Sequence, residues 1–174
     1  MLETERLILK VATLEEASLL AELNSDPDVV RHTGETAFQS IAAAQTTIRE
    51  RMMAQFENYR MGRFSVFLKD GTYLGWCGLR FSPESEEVDL GYRFMKKFWG
   101  HGYATEASER CLRYGFEELN VKKIIARAMP QNIASIKIMQ KLKMTFRGLN
   151  SGLRDPHRFI MYDITAEEFI RCTE

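Results

Sequence analysis

From Phe98 to Ala107 the chain reads Phe-Trp-Gly-His-Gly-Tyr-Ala-Thr-Glu-Ala, with Gly100 and Gly102 on either side of a single histidine. The run joins an extended segment to a helical one, and no Ser, Thr, Asp or Asn stands immediately before the helix at the natural cap position. Its first backbone N–H groups therefore lack a local side-chain acceptor, and the glycines let a ligand approach them closely. A phosphate fits that position, because the amides donate hydrogen bonds and the helix dipole favours negative charge. The same residues also fit a tight strand-to-helix turn with water on the free amides, since Gly-x-Gly alone specifies little. No Gly-Lys-Ser or Gly-Lys-Thr follows, which excludes a Walker loop, and the third glycine of a dinucleotide fingerprint is missing.

Two other places carry side chains with chemistry to offer. Asn132 stands just before a helical run and Ser135 lies in its first turn, so the plainest reading is a helix cap and a polar first-turn residue. Glu87 and Asp89 share one face of a strand, where carboxylates serve as bases, solvate an exposed face or pair with Arg93. The histidines His32, His101 and His157 and the cysteines Cys77, Cys111 and Cys172 are scattered, with no Cys-x-x-Cys and no metal-ligand spacing. Structural zinc and a disulfide framework are not expected, nor is any metal, and Cys77 and Cys111 fall in apolar periodicity as core residues.

Periodicity supplies the elements that hold these groups. Glu5 to Val11 reads as a first strand, followed by Thr-Leu-Glu-Glu, a capping box in which Thr13 caps and Glu16 reaches back. Asp26-Pro27 ends that helix, and a second one carries Ile41, Ala44, Ile48, Met52, Phe56 and Tyr59 at steps of three and four. Phe64 to Leu68 and Thr72 to Phe81 form a hairpin across Lys69-Asp70-Gly71. Val88, Leu90, Tyr92 and Phe94 alternate on one face of the next strand. A long helix to about Leu119, a strand over Lys123 to Met129 and a helix over Ile133 to Leu142 follow. Two strands, Thr145 to Leu149 and His157 to Ile164, and a helix from Ala166 complete the chain. The class is α+β with a mixed sheet, in one domain over residues 1–174.

At 174 residues and 20.2 kDa the chain is long enough for a substantial core, and 45% apolar and 28% charged residues are globular values. Lys and Arg number 24 and so do Asp and Glu, which gives nucleic acid and anionic membranes no net charge to attract. No apolar run approaches the ~20 residues of a membrane span. The opening Met1-Leu2-Glu3-Thr4-Glu5-Arg6 lacks the basic and apolar stretches of a signal peptide, so a cytoplasmic location with free thiols is expected.

Taken together, Asp-Leu-Gly-Tyr-Arg-Phe at 89–94, Trp-Gly-His-Gly-Tyr-Ala-Thr-Glu-Ala at 99–107 and Asn-Ile-Ala-Ser-Ile-Lys-Ile-Met-Gln-Lys-Leu at 132–142 resemble the GNAT acetyltransferases. The opening Leu-Glu-Thr-Glu-Arg-Leu-Ile-Leu at 2–9 looks like the RimJ/RimL branch, the ribosomal-protein N-terminal acetyltransferase group. The resemblance implies a mostly antiparallel mixed sheet, flanked by helices and splayed between its fourth and fifth strands. It implies that acetyl-CoA is the acyl donor, with its pyrophosphate on the backbone of Gly100, His101, Gly102, Tyr103, Ala104 and Thr105. The pantetheine arm would pair with the strand edge around Arg93, Phe94 and Met95, Asn132 would bond that arm, and Ser135 would lie beside the thioester sulfur. Trp99 stands where many members have Arg or Gln, a departure that a backbone contact tolerates. The resemblance leaves room for a homodimer.

The chemistry so implied is aminolysis of a thioester, in which the acceptor amine loses a proton and the departing thiolate is steadied. By resemblance Asp89 is the base, with Glu87 or water as alternatives, and Ser135 attends the thiolate. Many members place a general-acid Tyr four residues after the serine; Met139 occupies that position here and donates no proton. The expected activity is direct acetyl transfer to a primary amine, on a small molecule or a protein N-terminus. The rival is a GNAT-fold module that binds or senses an acyl-CoA without turnover. Two segments, roughly Asp26 to Gln39 and Arg147 to Arg158, are expected to shape the acceptor pocket.

Overall fold

In the computed structural model, which describes residues 1–35, 37–38, 40–150 and 159–173, consecutive strands pair antiparallel along the first half of the chain. They are β1 (Leu2–Glu3), β2 (Leu7–Lys10), β3 (Arg63–Leu68), β4 (Tyr73–Ser82) and β5 (Glu87–Phe94). The β3–β4 hairpin turns at Gly71, whose φ of +89° is the left-handed conformation that glycine tolerates. β5 lies parallel to β6 (Lys123–Ala128). Of the last two strands, β7 (Thr145–Asn150) is at the edge and β8 (Phe159–Thr165) is inserted antiparallel between β6 and β7.

The parallel pairing covers only Val88 with Ile124 and Asp89 with Ile125. Past Asp89, β5 stays paired with β4 as far as Phe94 while leaving β6. The sheet is therefore splayed between the expected pair of strands. They are fifth and sixth rather than fourth and fifth, because β1 precedes them and its two residues are too few to show a period.

Helices cover both faces. On one side lie α1 (Ala17–Ser25), α2 (Pro27–Val30) and α3 (Ile41–Thr47). Leu20, Leu23, Ala44, Ile48 and Met52 are buried there against Tyr73 and Met95. α4 (Ala54–Tyr59), reached from α3 through π-type turns over Ile48–Met53, packs Phe56 against the other cluster. Into the other cluster pack α5 (Tyr103–Arg113), continued by π-type turns over Tyr114–Glu118, α6 (Ile133–Lys141) and α7 (Ala166–Thr173). Its centre is formed by Leu79, Leu90, Ala107, Cys111, Leu112 and Met139. Cys77 and Cys111 are buried free thiols, as the periodicity implies.

The capping box at Thr13 does not form. Thr13 makes no side-chain cap bond, and Glu16 is drawn into the interior, where Ser65 Oγ donates to it and Lys10 Nζ lies 3.1 Å away. A buried carboxylate takes the strongest donors within reach, and here those are on the sheet. Asp26 instead caps α2, accepting from the Asp28 N–H at 2.9 Å. Among the described residues no helix is long and apolar enough to cross a membrane.

Candidate active site

The glycine turn has the backbone that the sequence demands. Gly100 and Gly102 have φ of +80° and +82°, and Gly102 is the N-cap of α5, with no side chain capping the helix. A Cβ built on Gly100 would meet nothing within 4 Å, so the glycine answers to backbone conformation and leaves the approach to the α5 amides clear. Glu106, in the first turn of α5, is engaged elsewhere. It accepts from Thr4 Oγ1 at 2.5 Å and pairs with Arg6 at 2.6 Å, tying the N-terminal strands to the helix. Burial pushes its carboxyl up, but the bonds from Thr4 and Arg6 outweigh this and hold it below the usual range.

Arg93, Phe94, Gly100, Gly102, Tyr103, Ala104, Thr105, Asn132 and Ser135 all line one cavity of about 550 Å³. It runs from the α5 N-terminus into the splay between β5 and β6, a position created by the early end of their pairing. Of the remaining expected contacts, His101 is not on the wall; its ring stacks on Tyr103 and its Nδ1 lies 2.9 Å from the Trp99 carbonyl. Met95 is buried and its N–H donates to Leu74 O at 2.8 Å. Antiparallel alternation then turns the peptide groups of Arg93 and Met95 toward β4 and those of Tyr92 and Phe94 toward the splay. The Phe94 carbonyl accepts from the Trp99 indole at 2.7 Å, a bond that uses the residue replacing the common Arg or Gln.

Asn132 caps α6, its Oδ1 accepting from the Ser135 N–H at 3.1 Å, and both residues face the cavity. Met139, by contrast, is fully buried in the core. A hydroxyl does stand beside Ser135, on a residue that sequence reasoning placed only in an apolar stripe. Tyr92 lines the cavity with its phenol oxygen 2.7 Å from Ser135 Oγ and 3.2 Å from the Ser135 carbonyl. Burial pushes the Tyr92 phenol well above its usual value, only partly offset by the bond to Ser135, so it keeps its proton at any ordinary pH. Lys137 and Lys141, four residues apart on one helix face, also line this cavity, as does Arg31.

The carboxylates expected to do acid–base work lie elsewhere. Asp89 is buried outside the cavity, with Oδ1 2.8 Å from Arg63 Nη2 and 3.2 Å from Arg80 Nε, so its ion pairs are not with Arg93. Glu87 pairs with Arg127 at 2.6 Å. On the opposite face of the sheet, a second cavity of about 560 Å³ is walled by Arg63, Arg80, Arg93 and Trp76 and by residues of the expected acceptor segment, Gly34, Glu35, Ala37 and Phe38. Arg93 lines both cavities. The other expected acceptor segment lies, for residues 151–158, outside the described residues.

The chain matches the model of the acetyltransferase (GNAT) domain over residues 6–145. It is 34% identical over 156 residues to the uncharacterized N-acetyltransferase p20 of Bacillus licheniformis, a match covering 88% of this chain and 85% of that one. Among solved structures it is similar to a GNAT-family acetyltransferase from Bacillus anthracis, with a TM-score of 0.82 at 25% identity over 96% of this chain and 99% of the other. RimL, a ribosomal alpha-N-protein acetyltransferase in complex with coenzyme A, shares the fold at a TM-score of 0.79 and 14% identity, over 93% of this chain and 95% of its own.

Proposed function

We propose that this chain, which belongs to the GNAT acetyltransferase family, transfers an acetyl group from acetyl-CoA directly to a primary amine. Members of the family are N-acetyltransferases that use acetyl-CoA, and RimL, with the same fold, has been solved with coenzyme A. The observation that carries the reading is the single cavity joining an uncapped helix N-terminus to an open strand edge with hydroxyls beside it. Those residues fit coenzyme A: free helix amides and two left-handed glycines suit a pyrophosphate, and the strand edge at Tyr92 and Phe94, which β6 leaves past Asp89, suits an amide-bearing arm. When bound, acetyl-CoA would supply the acetyl group as a reactive thioester.

The remaining work falls to the chain. The α5 amides hold the phosphates, aided by Lys137 and Lys141 on the cavity wall. The Asn132 amide N–H₂, which makes no hydrogen bond among the described residues, is free to hold the arm while Oδ1 caps α6. Ser135 and Tyr92 form a hydroxyl pair that would donate hydrogen bonds to the leaving thiolate and relay it a proton that water restores to the pair, a task Met139 cannot perform. Asp89, outside both cavities and shared between two guanidiniums, positions Arg63 and Arg80, and the amine proton leaves to water.

A thiol-release assay over a panel of amines with intact-mass readout tests the proposal. Acetylated product on any primary amine supports transfer. Tight coenzyme A binding with no turnover on any amine would make the chain a non-catalytic acyl-CoA-binding module instead.

A further inference from the structure

We propose that the acceptor amine carries a carboxylate, bound in the arginine-walled cavity on the α1–α3 face of the sheet. The inference rests on the transferase reading above and adds to it the chemical class of the acceptor. Four guanidiniums, from Arg51, Arg63, Arg80 and Arg93, line this cavity of about 560 Å³ among the described residues. Two carboxylates meet them. Asp89 lies between Arg63 and Arg80, and Glu35 pairs with Arg93 at 2.8 Å and lies 3.8 Å from Arg51. Positive charge is therefore left over in a concave site, where low-dielectric walls strengthen its pull on an anion.

The arginines divide into two kinds. Arg63 and Arg93 are built into the wall, with side chains only 16% and 10% exposed and both guanidiniums stacked on Trp76, at 5.2 and 5.3 Å. Arg63 Nη1 also donates to Gly78 O at 2.6 Å, and Arg93 donates to the Asn24 side chain. The backbone makes room for this arrangement. A Cβ on Gly91 would lie 2.4 Å from Arg63 Nη1, so any side chain there would push aside the guanidinium that crosses the strand. Arg80 and Arg51 are the open kind. Arg80 is held to Asp89 through Nε alone, which leaves both terminal nitrogens free among the described residues, and Arg51 has, among them, only a loose pair with Glu35 at 3.8 Å. A planar fork with both ends free matches a carboxylate with two parallel hydrogen bonds. Because Arg93 lines both cavities, an acceptor anchored by these forks lies next to the chamber that fits acetyl-CoA.

The test pairs each acid with its neutral counterpart in the thiol-release assay: leucine with isoamylamine, phosphoethanolamine with ethanolamine, and a C-terminally amidated peptide beginning with Asp with one beginning with Ala. The expected result is kcat/KM at least ~10-fold higher for the carboxylate-bearing partner, with most of the difference in KM. Arg80→Gln and Arg51→Gln, both at largely exposed side chains, should each narrow that ratio by raising KM for the acid, and added salt should narrow it too. The peptide pair separates an acidic N-terminus from a free amino acid, and a preference confined to phosphoethanolamine overturns the carboxylate assignment. Equal or faster turnover of the neutral amines overturns the acceptor class and leaves the transferase reading standing. Failure of every amine, with acetyl-CoA binding intact by calorimetry, overturns both.

Discussion

The phenol oxygen of Tyr92, on the strand edge facing the splay, lies 2.7 Å from Oγ of Ser135, in the first turn of α6. The bond links the two elements that diverge to make the cofactor-sized cavity, and it puts two hydroxyls where the family resemblance locates the thioester sulfur. On the proposed reading, Tyr92 offers from the other wall of this cavity the hydroxyl that Met139 lacks.

Tyr92→Phe removes the phenol and keeps the ring. It should lower kcat by roughly 10- to 100-fold, at the low end for acid–base assistance, with little change in KM for acetyl-CoA. Ser135→Ala should fall in the same range. The double variant should lose little beyond the worse single one, since the hydroxyls act as a pair. Steady-state kinetics of the three variants check this, and losses that multiply would show two independent roles.

Gly102→Val should sharply weaken coenzyme A binding, because a φ of +82° is strained for a β-branched residue and a side chain there obstructs approach to the α5 amides. His101→Ala should do little, since the ring lies off the cavity wall and contacts Tyr103 and Trp99. Calorimetry with coenzyme A and with pantetheine, which lacks the pyrophosphate, checks both. Equal affinities for the two ligands in the unmodified protein would contradict a phosphate cradle at this turn.

How far the sequence could be read shows at these same residues. Strands β3 to β6 follow from alternation and turn chemistry, because one buried face imposes a period of two and Gly71 marks the hairpin. The glycine turn is legible for a similar local reason, its positive φ values being a property of a few adjacent residues. Tyr92 is not legible, because the stripe it shares with Val88, Leu90 and Phe94 says which face it is on but not that α6 brings a serine against it. The partners of Asp89 are not legible either. Its partners Arg63 and Arg80 come from other strands, and the nearer Arg93 on its own strand turns to Asn24 and Glu35. Thr13 and Glu16 form a capping box on paper, but burial beside Ser65 redirects the carboxylate.

Asp89→Asn tests the ion-pair reading. With Arg63 and Arg80 left without their shared charge, stability should fall by about 1–3 kcal/mol, read from denaturant unfolding. The pH dependence of kcat should keep its shape, because the amine proton goes to water. A new or displaced basic limb in that profile would return Asp89 to the role of base.

Asn132 combines two duties in one side chain, and they can be separated. Its Oδ1 accepts from the Ser135 N–H at 3.1 Å, so loss of the cap in Asn132→Ala should cost about 1 kcal/mol of stability. Asn132→Asp and Asn132→Ser retain a capping oxygen and should keep the Tm of the ligand-free protein close to normal. Asn132 lines the cavity and its amide N–H₂ has no protein partner among the described residues, and an ionised Asp has no donor to replace it. Asn132→Asp should therefore bind coenzyme A more weakly, and saturating ligand should raise its Tm by less than it raises that of the unmodified protein. Thermal shifts with and without coenzyme A on the three variants are sufficient. A full ligand-induced shift in Asn132→Asp would leave Asn132 as a cap alone and assign the hold on the pantetheine arm to the backbone of β5.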